Sequence, residues 1–432
     1  MNVLSLSHGL NFNLLVGAAQ IISTSFYNYL NIRQIKQLRK RENMIPKLKE
    51  LGIKYQKDTL AKTYDYNLEK KALGLISSYY QLFVLLIKLY CLFFGEVYNF
   101  FLFMFESEFL ALLLFTLVCG VIDLVVGLPF SWYSTFSIEE KFGFNKMTPR
   151  LFFMDRLKDL MIGSIFGVLF YYVIDIIMLK FHDYFIPVCW VAIILFNIGA
   201  ILIYPVFIIP LYYKLEPLDE EIEKEKEIMD KVRKMCGDLK FPLDKIYKMD
   251  GSKRSSHSQA FFMGIFKKRH IVLFDTLIDN LETDEIVSVL CHEIGHWYYM
   301  HNYQSMLFVF TEMLAILYLF SFCIDYDKMY FDFGFNDRVY FMGFTIFLMV
   351  LEPLLKLVGS LMCALIRKNE YQADTFAVDW GYGEELKRGL VKISKDNNVD
   401  LNPDPVYSLF NHTHPNILER VEAINVAMLK KN

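Results

Sequence analysis

"LCHEIGHWYYMHNYQSMLFVF", residues 290–310, joins two different kinds of sequence. Its first half contains the pattern HExxH, in which His292 and His296 are one helical turn apart and emerge on the same face of a helix. Two such imidazoles can bind one Zn²⁺, and Glu293 can take a proton from water at the metal. The second half continues into an apolar stretch of the kind that crosses lipid. The segment therefore predicts a zinc hydrolase site at a membrane boundary.

The composition of the whole chain is that of a membrane protein. The chain has 432 residues, of which 54% are hydrophobic, and its mean hydropathy is +0.29. A transmembrane helix needs about 20 apolar residues. The net charge of −3 gives no reason to expect a nucleic-acid partner, and the seven Cys contain no CxxC pair. We predict an α-helical polytopic membrane protein with seven transmembrane helices, at residues 12–30, 72–94, 109–130, 161–180, 184–211, 305–324 and 340–366.

Basic residues predict the orientation of these helices. A cluster that includes Arg33, Lys36 and Arg41 follows the first apolar stretch. Basic loops stay on the cytosolic side of a membrane, so this loop is expected in the cytosol. Alternation along the chain then places the long polar insert and the C-terminus in the cytosol as well. The zinc site is thus expected to be accessible from the cytosolic side.

The polar insert reads as a small α+β domain. The segment "LEPLDEEIEKEKEIMDKVRKMCG" predicts an amphipathic helix with Pro217 near its start. Three short runs, "KIYKMD", "QAFFMG" and "HIVLFD", predict strands separated by turns, and a helix over residues 283–303 follows them. The predicted regions are five transmembrane helices with basic cytosolic loops at 1–211, a cytosolic metalloprotease insert at 212–304, transmembrane helices six and seven at 305–366, and a helical segment at 367–432.

Charged residues inside the apolar stretches indicate a polar interior. An ionisable group that faces lipid costs at least ~2.5–3.5 kcal/mol. Position at a helix end accounts poorly for Asp123 and Glu352, which lie well within predicted spans. The helices are therefore expected to enclose a hydrated space.

Catalytic zinc needs a third protein ligand, and the sequence offers a candidate downstream. The segment "RKNEYQADTFA" carries Glu370 and Asp374 on one helical face. Glu370 as ligand would leave Asp374 to accept a hydrogen bond from a ligand histidine. A solvated acidic face is the alternative reading of the same pair. His301 is out of register for the extended zincin pattern and is expected to be structural or to support a ligand.

Several linked segments extend the pattern to most of the chain. They are "FYNYLNIRQ", "EEKFGFNKMTP", "LYYKLEPL", "GSKRSSHSQAFFMG", "IVLFDTL", "HEIGHW", "NEYQADTFA" and "THPNILER". In these motifs the chain resembles the type-one CaaX prenyl protease family, which are integral-membrane zinc endopeptidases of the endoplasmic reticulum and inner nuclear membrane. The resemblance implies seven helices around a large hydrated chamber, one Zn²⁺ per chain, and farnesylated or geranylgeranylated C-terminal peptides and proteins as substrates.

The resemblance also implies roles for individual residues. It makes His292, His296 and Glu370 the zinc ligands, Glu293 the general base, and Asp374 the carboxylate that supports a ligand.

Two further residues, His414 and Arg420 in "HPNILER", correspond to positions near the substrate carbonyl in the family, where each could stabilise the oxyanion that forms as water adds to the peptide carbonyl. From the residues alone, an ordinary cytosolic turn is the favoured reading of that segment. Gln259 stands where the family usually has Asn, before the aromatic pair. A glutamine could still bind the backbone of a peptide laid against a sheet edge, with one more methylene.

The function that the resemblance implies is removal of the C-terminal aaX tripeptide from prenylated CaaX proteins, with a second upstream cleavage in some members. The nearest alternative is a membrane quality-control metalloprotease that clears misfolded or stalled proteins. The alternatives of another class are a non-catalytic scaffold that binds prenylated proteins and a transporter.

Overall fold

The structure, a computed structural model, describes residues 11–263 and 269–431. Long helices dominate the first half of the chain and run nearly without loops. They are α1 (Phe12–Arg39), α2 (Ile45–Glu50), α3 (Lys57–Tyr90), α4 (Phe93–Phe105), α5 (Glu108–Tyr133), α6 (Glu140–Phe142), α7 (Pro149–Lys180), α8 (Phe185–Ile203) and α9 (Ile209–Tyr212).

The second half combines a small sheet with further helices. Its elements are β1 (Leu215–Pro217), α10 (Glu223–Asp238), β2 (Leu243–Met249), β3 (Ala260–Met263), β4 (Arg269–Phe274), α11 (Asp275–Asn280), α12 (Thr283–Tyr298), α13 (His301–Phe320), α14 (Asp327–Phe331), α15 (Tyr340–Asp379), α16 (Gly383–Asp396), α17 (Pro405–Asn411) and α18 (Ile417–Lys431).

The predicted helical membrane fold is confirmed. Among the described residues, six helical stretches are long and apolar enough to cross a membrane: Lys57–Tyr90, Glu108–Phe142, Pro149–Lys180, His182–Tyr212, His301–Phe320 and Tyr340–Asp379. Each contains or closely overlaps a predicted span. Most of their surface faces outward rather than into the protein, as expected for helices surrounded by lipid.

The first predicted span lies in α1, which is less apolar than the six others. Its polar side chains are buried against neighbouring helices and form hydrogen bonds there. Gln20 Nε2 donates to the Met349 carbonyl at 2.9 Å, and Ser23 Oγ donates to Glu352 Oε1 at 2.8 Å. Helix α1 thus uses its polar face for contacts with α15, which explains its lower hydropathy.

The charges inside the membrane helices line an internal cavity of about 760 Å³. Lys88 Nζ lies 2.6 Å from Asp123 Oδ1, and Lys356 Nζ lies 3.1 Å from Glu352 Oε1. All four side chains line the cavity, which also includes Gln20. Ion pairing reduces the cost of burying each charge. The polar interior expected from these residues is therefore present.

The insert forms a four-stranded sheet in the order β1-β2-β4-β3, so β3 lies at one edge. β2 pairs with β4 in parallel, and β3 pairs with β4 antiparallel. Helices α10 and α12 pack on this sheet through apolar residues such as Ile228, Ile271 and Ile286. The turn predicted between β3 and β4, "IFKKR", covers residues 265–269, of which 265–268 lie outside the described residues and Arg269 begins β4.

Two predicted element boundaries in the insert are wrong. Pro217 does not begin the amphipathic helix but lies in β1, and the helix begins at Glu223. Proline is tolerated on an edge strand, where its missing N–H leaves no ladder bond unmade. The predicted helix over 283–303 is also interrupted. Met300 has φ +57°, which ends α12 and starts α13 in a new direction.

Helix α15 is continuous over 40 residues. The predicted regional boundary at 366/367 therefore falls inside a helix rather than in a loop. Its first part is apolar, and its last turns carry Glu370 and Asp374 and pack on α12. One rigid element thus connects the membrane helices to the HExxH helix.

Candidate metal centre

The HExxH helix α12 is buried on nearly every side. A capping box starts it: the Glu282 side chain accepts from the backbone N–H of Glu285, and Glu285 Oε2 accepts from the Glu282 N–H at 3.0 Å. Almost all residues from Thr283 to Gly295 are buried, including His292. A histidine inside such a helix needs polar partners, and α15 supplies them.

Three ligand atoms converge between α12 and α15. His292 Nε2 lies 3.2 Å from His296 Nε2 and 3.5 Å from Glu370 Oε2, and His296 Nε2 lies 3.2 Å from Glu370 Oε1. Tetrahedral zinc with bonds of about 2.0–2.1 Å requires neighbouring ligand atoms to be about 3.3 Å apart. The three distances therefore fit one zinc ion, with its fourth position left for water or substrate.

The hydrogen bonding of the Glu370 carboxylate also fits a role as a metal ligand. It is buried, with a side-chain exposure of 3%, and its Oε2 forms no hydrogen bond with good geometry. His414 Nδ1 lies 2.8 Å from that oxygen but outside hydrogen-bonding geometry. A buried carboxylate oxygen that forms no hydrogen bond is stabilised when a cation occupies the space before it.

Both ligand histidines are oriented through their second ring nitrogen. His292 Nδ1 lies 2.9 Å from Asp374 Oδ1, and His296 Nδ1 lies 3.0 Å from His301 Nδ1. His301 Nε2 in turn contacts Gln372 Oε1 at 3.1 Å. In the arrangement that satisfies both contacts, His296 Nδ1–H donates to His301 Nδ1, and His301 Nε2–H donates to the amide oxygen of Gln372. Nε2 of His296 then carries no proton and can bind a metal.

From the sequence, His301 was expected to be structural or to support a ligand, and its contact with His296 fits the second role; Gln372 was not predicted. Helix α13 begins at His301 after the backbone turn at Met300, and that turn brings the imidazole back to His296. Gln372 lies two residues beyond Glu370 in the same motif, which is the one sequence signal that could have drawn attention to it.

Arg420 forms the tightest ion pair of the centre. Its Nε and Nη2 donate to the two oxygens of Asp374 at 2.9 and 2.6 Å, and both residues are buried. Its Nη1 also lies 3.4 Å from Glu370 Oε2. Burial lowers the pKa of His292, but hydrogen bonds to Asp374 and Glu370 outweigh this effect and raise the pKa to about 9.

Glu293 is half-buried and forms no hydrogen bond or ion pair with any other described residue. Glu293 is the residue after the ligand His292 in α12, so its backbone lies beside the metal ligands. A carboxylate that is held near a metal and has no protein partner is available to water.

Gln259 and His414 line one cavity of about 500 Å³ beside the metal ligands. Gln259 is exposed and directly precedes the edge strand β3. The preceding residue, Ser258, is held by Asn397, whose Oδ1 accepts from the Ser258 N–H at 3.2 Å. The structure therefore brings every predicted site residue to the metal centre or to the cavity that adjoins it.

Gly295 allows α12 and α15 to approach each other. A Cβ added at Gly295 would lie 3.1 Å from Ala373 Cα and 3.1 Å from Phe376 Cβ. We expect Gly295→Ala to lower the free energy of unfolding by about 1 kcal/mol, because overpacking of about 1–3 kcal/mol exceeds the gain in helix propensity. Zinc affinity should fall as Glu370 moves away from the histidines. Gly237→Ala in α10, where nothing lies within 4 Å, is the control; an unchanged zinc content in Gly295→Ala would contradict this reading.

Comparison with known proteins gives the same result over both halves of the chain. Residues 34–214 match the CAAX prenyl protease N-terminal family, described as five membrane helices, and residues 223–427 match peptidase family M48. CAAX prenyl protease 1 of Saccharomyces cerevisiae is 32% identical over 97% of this chain and 96% of its own length. The probable CAAX prenyl protease 1 of Schizosaccharomyces pombe is 38% identical over 71% of this chain, which spans 64% of that relative.

A solved structure confirms the fold. The crystal structure of S. mikatae Ste24p superposes with a TM-score of 0.88 at 32% identity, and the match covers 96% of this chain and 99% of that one. The predicted zinc, held by His292, His296 and Glu370, is confirmed by the ligand geometry together with the M48 match. The chain belongs to the CAAX prenyl protease 1 family and is a multi-pass membrane zinc metallopeptidase of family M48.

Proposed function

We propose that this enzyme removes the C-terminal aaX tripeptide from prenylated CaaX proteins. The observation that carries the proposal is helix α15, which is apolar enough to cross a membrane and also supplies the zinc ligand Glu370. A prenylated tail partitions into lipid, while its scissile bond needs water. A hydrolytic centre attached rigidly to a membrane helix meets both needs.

The proposed chemistry assigns the proton transfers to Glu293. When bound, zinc polarises the scissile carbonyl and lowers the pKa of water toward about 7. Glu293 accepts a proton from the attacking water and returns it to the leaving amine. The absence of any protein partner for this carboxylate among the described residues supports this role.

His414 is proposed to stabilise the oxyanion that forms at the substrate carbonyl. Its side chain is 64% exposed and its Nδ1 lies 2.8 Å from Glu370 Oε2, so Nε2 remains available to donate a hydrogen bond to substrate. Arg420 is committed to Asp374 by two hydrogen bonds, which supports a positioning role: together they hold His292 and Glu370 in place. Asp374 is proposed to fix the tautomer of His292.

Gln259 is proposed to bind the substrate backbone. It precedes β3, whose outer edge is unpaired in the described sheet, and such an edge can accept a peptide as an added strand. The side-chain amide of Gln259 would then hold a peptide group at the start of that edge.

We infer that the enzyme resides in the membrane of the endoplasmic reticulum, and of the nuclear envelope, with its metal centre open to the cytosol. The basic loop that includes Arg33 and Arg41 supports this orientation. We keep the four regions at 1–211, 212–304, 305–366 and 367–432 as functional regions. The last two boundaries mark exits from the membrane inside α13 and α15 rather than ends of helices.

The purified enzyme should trim a farnesylated CaaX peptide by three residues, with activity lost on chelation and restored by Zn²⁺. Mass spectrometry of the products checks this. The unprenylated form of the same peptide is the control and should be cleaved at least about 10-fold more slowly, because only the lipid-bearing peptide concentrates at the membrane. Equal cleavage of both peptides would favour a quality-control protease. Zinc binding without cleavage would favour a scaffold, and absence of zinc would favour a transporter.

A further inference from the structure

The cavity beside the metal centre contains a lysine that forms no ion pair with a carboxylate among the described residues. The cavity is lined by His257, Gln259, His414, Lys71 and Tyr407, and His414 is the lining residue that lies against the zinc ligand Glu370. It is predominantly lined by polar side chains, unlike a pocket for a prenyl chain.

Its position relative to β3 identifies which end of a peptide would enter it. Strand β3 runs from Ala260 to Met263, away from the cavity, and its outer edge is unpaired in the described sheet. A peptide added antiparallel to that edge points its carboxyl end toward Gln259 and hence into the cavity. His414 connects the cavity to the ligand Glu370, so the scissile bond lies near the entrance.

Lys71 is half-buried and lies on α3. Its Nζ donates to Tyr407 Oη and lies 4.6 Å from the centre of the Tyr407 ring. No carboxylate lies within ion-pair distance of it among the described residues. Burial disfavours the charged form of a lysine that no carboxylate pairs, so an anion that entered the cavity would stabilise the ammonium of Lys71 and would itself be stabilised there.

The other charged groups of the cavity are already engaged. Lys70 Nζ lies 2.9 Å from Glu139 Oε1. The oxygens of Asp400 accept from the Gln34 amide and, at 3.1 Å, from the Asn402 N–H. Asp400 interacts with Lys71 only through space, because no ion pair joins the two side chains. Lys71 is therefore the cation that an incoming anion would meet.

We propose that this cavity recognises the free α-carboxylate of the substrate, with Lys71 as the residue that selects it. The proposal rests on the proposed function, in which three residues follow the cleaved bond. Three extended residues span about 10 Å, a length that a cavity of this size accommodates. Recognition of the carboxylate by Lys71 thereby favours cleavage three residues before the C-terminus of a substrate over cleavage at an internal peptide bond.

The test compares one farnesylated CaaX peptide in two forms, with a free C-terminal carboxylate and with a C-terminal amide. For the wild-type enzyme, we expect kcat/KM to fall about 10- to 100-fold on amidation, as for loss of a hydrogen bond between charged groups. Lys71→Met should lower kcat/KM for the acid by the same factor. The kcat/KM values for the acid and the amide should then be equal. Lys71→Arg should retain much of the preference.

Lys62→Met is the matched control, because Lys62 lies exposed on the same helix and outside the cavity. It should keep the full preference for the acid. Zinc content measured for each variant shows that the metal centre is intact. Wild-type enzyme that cleaves acid and amide equally would overturn the inference and leave the proposed function standing. Cleavage of neither peptide by zinc-loaded wild type would overturn both, and a preference retained in Lys71→Met would assign the carboxylate to another residue.

Discussion

Glu293→Gln is expected to lower kcat by about 10²- to 10⁴-fold while zinc stays bound. The amide has nearly the shape of the carboxylate but cannot accept a proton from water. Because Glu293 forms no hydrogen bond or ion pair with another described residue, the change should leave the fold unaltered. Steady-state rates on the farnesylated peptide and the zinc content of the purified protein check both parts of the expectation.

Glu223→Gln provides the control for this experiment. Glu223 is exposed at the start of α10, far along the chain from the ligands, and its substitution should leave kcat unchanged. Should Glu293→Gln retain wild-type kcat with full zinc, the base would have to be a different group, and the proton transfers proposed above would be wrong.

Asp374→Ala is expected to have the largest effect on stability. It leaves the buried guanidinium of Arg420 without its partner, and breaking a buried ion pair from one side costs about 3–5 kcal/mol. It also removes the acceptor of His292 Nδ1, for which a loss of about 10- to 100-fold in zinc affinity is expected. Thermal unfolding in detergent and zinc titration measure the two effects separately.

Two further variants identify the cause of the instability. Asp379→Ala changes an exposed aspartate on the same helix and should shift Tm little. The double variant Asp374→Ala/Arg420→Met removes both charges and should recover much of the lost Tm, while zinc affinity stays low. If the double variant is no more stable than Asp374→Ala, the unpaired charge is not the source of the loss.

Local spacing made the ligand histidines and the membrane helices predictable. His292 and His296 are four residues apart, and any α-helix brings such residues to one face. The apolar stretches have a length that the bilayer itself dictates. The third ligand, Glu370, followed from the need for a carboxylate together with a motif that resembles those of a known family.

Breaks and continuities of helices were not predictable in the same way. The sequence through Met300 has no proline or glycine, yet the backbone turns there, and His301 reaches His296 because of that turn. The sequence changes from apolar to charged between residues 366 and 367, yet α15 continues through this point without a break. Packing against other elements decided both cases.

The sequence by itself determined the chemistry of this protein: two imidazoles and a base on one helix, and enough apolar length to span a bilayer several times. The tertiary structure alone decided how that chemistry is completed. Arg420 meets Asp374 across 46 residues and approaches His292 across 128. Lys71 meets Tyr407 across 336 residues. Such partners depend on how α3, α12, α15 and α18 pack together, and helical periodicity carries no information about contacts between helices so distant in the chain.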